Sequence, residues 1–138
     1  SGRVLSYERF RDWLEEALDD LEAARELFQF GRWSKVCFLS HQAVEKALKA
    51  LCIKRLGVYS QTHSIAKLIE DVRGVIVIPE ELAEKAGKLD RYYIPTRYPN
   101  VWPALPPHRH YSRGDAEEAL ATAVEVVELV KREVERDP

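Results

Sequence analysis

A chain of 138 residues with 46% hydrophobic and 32% charged side chains has the composition of one soluble domain with a real core, which excludes a disordered or fibrous chain. Its formal net charge of −2 argues against a surface coated with nucleic acid and leaves room for a local anion site. No apolar run approaches the roughly 20 residues of a membrane span; no secretory leader is expected, because the N-terminus turns charged and amphipathic at once, and the expected location is the cytoplasm.

The first predicted helix runs from about Tyr7 to Phe30. Phe10, Trp13, Leu14, Ala17, Leu21, Ala24 and Phe28 recur at steps of three and four, which aligns them on one side of a helix. Ser6 is a suitable N-cap, and Gly31 can end the helix in a left-handed turn. A second helix follows from about Trp33 to Leu56, and the short joint folds it back antiparallel on the first. Its apolar positions spread over so wide an arc that it should be the central helix. Glu45 and Lys49, at i and i+4, read as a favourable pair, and Lys46 and Lys49 as a solvated stripe. His41 falls in phase with the apolar face and reads as an interior histidine. His63, at the start of the next helix, reads as a local structural residue. Cys37 and Cys52 lie about 22 Å apart along this helix at about 1.5 Å per residue, too far for a disulfide. They read as small buried hydrophobes.

A short third helix begins near Thr62–Ser64 and stops at Gly74. Val75-Ile-Val-Ile78 has strand propensity but no second strand to pair with, and is expected to be an extended connector. Pro79 opens a fourth helix, whose stripe of Leu82, Ala86, Leu89 and Tyr93 ends at Pro95. Asp115 and Glu118 mark the start of a last helix with an alanine- and valine-rich face. With no repeat and no second composition, residues 1–138 form one domain. The fold class is all-α: an antiparallel, up-and-down bundle of four longer helices and one short one.

Between the last two helices, Arg91 to Arg113 stands apart. It reads RYYIPTRYPNVWPALPPHRHYSR, without an acidic residue, and holds five of the chain's seven prolines. Its four arginines (Arg91, Arg97, Arg109, Arg113) make it formally +4 and leave the rest of the chain at −6. Arginine presents a planar charged fork to phosphate oxygens, and tyrosine or tryptophan offers a face on which a base stacks. The candidate nucleotide- or RNA-binding residues are therefore Arg91, Tyr93, Arg97, Tyr98 and Arg109, joined by Lys46 and Lys49 if the segment folds over the second helix. Replacing Arg97 by alanine is expected to weaken binding and leave thermal stability nearly unchanged. The plain alternative is a long crossover pinned by its own aromatics. A glycine-rich phosphate loop, H-E-x-x-H, C-x-x-C and G-x-S-x-G are all absent, and no cofactor is expected. His108 and His110 have metal-ligand spacing, but they lie among arginines with no carboxylate beside them, so no metal is expected either.

The runs CFLSHQAVEKALKALCIKRLG, THSIAKLIEDV, LDRYYIPTRYPN and HYSRGDAEEALATAVEVVELVK together resemble the HEPN domain family over nearly the whole chain. The resemblance implies a four- or five-helix bundle, commonly a homodimer, that binds nucleotides or RNA. It often pairs with a minimal nucleotidyltransferase in a toxin–antitoxin-like system. Many relatives are metal-independent endoribonucleases with a histidine four to six residues after an arginine. Here neither Arg91 nor Arg97 has a histidine at that spacing, so the reading leans to a non-catalytic binding module. The alternatives are an endoribonuclease using Arg97 with His108 or His110, and a pure protein–protein dimerisation module. Scarce asparagine and absent methionine, beside many charged residues, point to a thermophilic source.

Overall fold

A computed structural model describes residues 8–136. Its order is α1 (Arg9–Gln29), α2 (Trp33–Leu56), α3 (Ile65–Val72), α4 (Glu80–Lys88) and α5 (Arg113–Glu135), with 3-10 turns at Leu89–Tyr92, Pro99–Val101 and Pro107–His110. There is no strand among the described residues, and the chain is the expected antiparallel helical bundle. No helix among them is long and apolar enough to cross a membrane.

α2 is the axis of the molecule. It packs on α1, α5, α3 and two of the 3-10 turns, and buried residues occur on every side of its middle, from Ser34 to Ile53. Cys37 and Cys52 are buried and unpaired, and burial pushes the Cys37 thiol up to about 12. Both joints around α1 and α2 end on glycines in the left-handed region, Gly31 at φ +71° and Gly57 at φ +66°. Beyond Gly57, the Val58 N–H reaches back six residues to the Cys52 carbonyl and closes the last turn. The predicted N-cap Ser6 lies outside the described residues.

Two expectations about length and capping change. The bundle has three long helices and two short ones, because α4 stops at Lys88 and tightens into the 3-10 turn Leu89–Tyr92. With three residues per turn instead of 3.6, the core position after Leu89 is Tyr92 and not Tyr93. Tyr93 is thereby rotated out of the α4 stripe. α5 is capped one turn earlier than Asp115–Glu118 suggested. The Ser112 side chain accepts from the Asp115 N–H, and Asp115 accepts from the Ser112 N–H, a reciprocal capping box. The Val75–Ile78 connector starts as a turn closed on the Val72 carbonyl; it buries Ile76 and leaves Val77 exposed.

Candidate functional site

The site is built where α2, the loop before α3 and the residues after α4 meet. Ser64 caps α3 by accepting from the Lys67 N–H. Asp90 reaches the same helix end from the 3-10 turn and accepts from the N–H groups of Ile65 (2.7 Å) and Ala66 (3.1 Å) and from the Ser64 hydroxyl. A carboxylate at a helix N-terminus is favoured by the unpaired N–H groups and the dipole. Asp90 also lies 3.1 Å from Nε2 of His41, which is fully buried in α2. Burial pulls the His41 pKa down, against the opposing pull of Glu45 and Asp90. His41 is the interior histidine that its phase on α2 implied.

One turn further along α2, Glu45 is buried and paired with Lys49, its Oε2 3.0 Å from Nζ. The pair is the one the i, i+4 spacing implied, but Lys49 is buried and not on the solvated stripe expected of Lys46 and Lys49, because α2 is central. Lys49 Nζ also lies over the rings of Trp13 and Tyr59, at 5.5 and 5.7 Å. The second partner of Glu45 is His63, whose Nδ1 is 3.3 and 3.2 Å from the two carboxylate oxygens. Glu45 is buried and His63 is 55% exposed, so the pair runs from the core to the surface.

The ring of His63 stacks on Tyr93, with centroids 4.8 Å apart and planes at 18°. Tyr93 also meets His41 and Phe38. Arg97 closes the cluster. Its guanidinium carbon lies 4.4, 4.8 and 5.1 Å from the ring centroids of Phe38, Tyr93 and Tyr98. Its Nε donates to the Tyr93 carbonyl at 2.9 Å, and Nη2 donates to the same oxygen. The Nη1 end makes no hydrogen bond to the described residues. Arg97 is thus a half-buried, aromatic-lined fork and not a loose surface side chain. Truncating it would therefore cost stability as well as charge, contrary to expectation. Tyr98 is 49% exposed and is the open aromatic face of the cluster; Tyr93 is packed on several sides.

The remaining candidates do not converge here. Arg91 turns towards α5: it donates to the Tyr92 hydroxyl at 2.9 Å and feels Glu118 and Asp115. Lys46 faces α1, 2.7 Å from Asp20. Arg109 is exposed. His110 stacks flat on Trp102, centroids 3.8 Å apart, and its Nε2 donates to the Ala104 carbonyl at 2.8 Å. That contact braces Leu105, which adopts a left-handed φ of +67°. Trp102 in turn donates to the Pro95 carbonyl at 2.7 Å. His110 is part of the crossover's own anchoring, as the plain alternative had it, and neither His108 nor His110 contacts Arg97. Three carboxylates on α1 (Glu16, Asp19, Asp20) lie close enough to share a metal ion, but Asp20 already carries the Lys46 ammonium.

His63, expected to be a local structural residue and not among the candidate binding residues, joins this cluster through Glu45 and Tyr93. Its one local signal lay in α2, where His41, Glu45 and Lys49 put three ionisable groups on one stripe of a helix apolar nearly all round. Such groups need partners, and a histidine from a neighbouring loop is one.

The family model of the HEPN domain matches residues 10–133. The fold is similar to the crystal structure of TT1696 from Thermus thermophilus, with a TM-score of 0.85, 44% identity, and coverage of 90% of this chain and 97% of that one. It is also similar to ST0689, described as an archaeal HEPN homologue, with a TM-score of 0.75, 34% identity, and coverage of 91% and 98%. A Methanocaldococcus jannaschii protein named "Putative toxin MJ1304" is 28% identical over 143 residues, covering 95% of this chain and 90% of its own length.

Proposed function

The chain belongs to the HEPN domain family, and on that footing we propose that it is a nucleotide- or RNA-binding helical module. The observation that carries this reading is Arg97, held between Phe38, Tyr93 and Tyr98 with its Nη1 end making no hydrogen bond among the described residues and Tyr98 half exposed beside it. A fixed guanidinium takes a phosphate oxygen with little entropy left to lose, and the adjoining tyrosine face takes a base. His63, on the other side of Tyr93, widens the surface beyond the segment Arg91–Arg113.

The likeness to a protein named as a toxin supports a place in a toxin–antitoxin-like pair; the family resemblance adds a minimal nucleotidyltransferase as the partner and a homodimer as the working unit. Both the partner and the dimer belong to this proposal, as does a cytoplasmic setting.

The test is fluorescence anisotropy with a labelled single-stranded RNA oligomer. Binding should saturate and weaken as salt rises, because phosphate contacts release counterions. Tyr98→Ala should weaken it about tenfold, within the range of one lost base stack, with an unchanged melting temperature. Equal affinity in wild type and variant would overturn the assignment.

A further inference from the structure

We propose that Gln42 is a specificity-determining residue of the RNA-binding site: its side-chain carbonyl is held as a hydrogen-bond acceptor that selects bases bearing an exocyclic amino group, cytosine in preference to uracil. The inference rests on the RNA-binding reading and names the class of base that the site takes. Gln42 lies outside the basic segment Arg91–Arg113; it stands on α2, next to His41.

A free glutamine discriminates poorly, because its amide turns over to offer either its N–H groups or its oxygen. Here a chain of three side chains locks it. Asp90 accepts from the N–H groups of Ile65 and Ala66 and from the Ser64 hydroxyl, so it stands as an ionised acceptor. Its contact with Nε2 of His41, at 3.1 Å, places the imidazole proton on that nitrogen. Burial keeps His41 neutral by lowering its pKa, which leaves Nδ1 as an acceptor. Gln42 meets Nδ1 with its amide nitrogen at 3.2 Å. The donor end of the amide is thus engaged, and the oxygen is the end left over. Oε1 makes no hydrogen bond to the described residues. Among these residues the buried, unpaired side-chain polar atom is the Ser40 hydroxyl, so Oε1 opens to solvent.

Gln42 follows Phe38 by one turn on the same face of α2. The Phe38 ring carries the Arg97 guanidinium at 4.4 Å and neighbours Tyr93, and the His41 ring that anchors Gln42 lies 5.2 Å from Tyr93. The amide therefore borders the cluster from α2, and Tyr98 borders it from the segment after α4. A phosphodiester carries a nucleoside on each side. With the phosphate on Arg97 and one base on Tyr98, the neighbouring base is left to the α2 border. Unstacked bases of single-stranded RNA are read on their Watson–Crick edges. Cytosine and adenine present an amino group there, a donor to Oε1, where uracil presents a carbonyl oxygen. Two acceptors facing each other repel. The locked amide cannot turn its NH2 group to uracil without giving up His41. Cytosine and uracil are the same size, so comparing them isolates this one hydrogen bond.

The experiment measures fluorescence anisotropy of the full-length protein with labelled single-stranded oligo(C) and oligo(U) RNA of equal length. A third oligomer is oligo(C) in which hydrogen replaces each 4-amino group. Wild type should bind oligo(C) about five- to tenfold more tightly than either of the others, the span of one neutral hydrogen bond. Gln42→Leu, which replaces the amide with an apolar side chain, should bind all three alike, close to the wild-type affinity for the desamino oligomer. Removing the amide and removing the amino group are then non-additive. Tyr98→Ala should weaken all three by one factor and keep their order. If Gln42→Leu also weakens all three by one factor and keeps the preference for oligo(C), its role is structural and the assignment is overturned. Equal or tighter binding of oligo(U) by wild type overturns it as well, and needs no variant that might fold poorly. The RNA-binding reading survives both results. Absence of binding to every oligomer overturns the two together.

Discussion

Nδ1 of His63 lies 3.2 Å from Oε2 of Glu45, tying the loop before α3 to the middle of α2. With Lys49 on its other side, Glu45 becomes the centre of a three-member chain from a buried ammonium to a half-exposed imidazole.

The buried pair sets the first expectation. Removing one member of a buried ion pair leaves a charge in low dielectric and costs about 3–5 kcal/mol. Lys49→Met should lower stability by about 3 kcal/mol, a loss read directly by urea unfolding. Glu45→Gln combined with Lys49→Met should cost less than the sum of the two single changes by at least about 1 kcal/mol. Additive losses would mean that the two side chains act independently.

Asp90 joins two roles in one carboxylate, capping α3 and giving buried His41 a partner. Asp90→Ala should cost about 2–4 kcal/mol, the loss of a cap plus an unpaired buried ring nitrogen. Asp90→Asn keeps an acceptor for the helix end and should cost less. Thermal denaturation followed at 222 nm by circular dichroism separates the two variants.

His41 links stability to pH. Its folded pKa is lowered from 6.5 by burial, so below that value the unfolded chain binds the proton more readily than the folded one. The sign follows: this contribution to stability is fully present above pH 6.5 and is lost as the pH falls towards the depressed folded value. Melting temperature should therefore fall between pH 7 and pH 5. His41→Gln, which can still donate to Asp90, should flatten that slope; an unchanged slope would assign the effect to other groups.

Ser40 is fully buried in α2, and its hydroxyl has no hydrogen-bond partner among the described residues. Ser40→Ala removes an unsatisfied polar group and improves helix propensity, and should stabilise the protein by about 1 kcal/mol. Destabilisation on calorimetry would mean that the hydroxyl finds a partner in solution.

The helices were readable from sequence wherever their causes are local. The apolar phase of α1, the broad apolar arc of α2, the left-handed Gly31 and the start of α3 near Ser64 each depend on a few neighbouring residues. The site was readable only as a composition. Arg97 and Tyr98 stood out in a basic, aromatic segment, but nothing local says that Arg91 turns towards α5 while Arg97 turns towards α2. That divergence comes from the 3-10 turn Leu89–Tyr92, which shifts the phase of everything after it. The pairing of His63 with Glu45 bridges 18 residues and depends on how α3 docks, which no spacing in the chain encodes.

The most direct test of the binding surface is a titration of isotope-labelled protein with a single-stranded RNA oligomer, followed residue by residue by nuclear magnetic resonance. The largest shifts should fall on His63, Arg97 and Tyr98, with His108, Arg109 and His110 little moved. Shifts centred on the Pro107–His110 turn, or none at saturating RNA, would contradict the assignment.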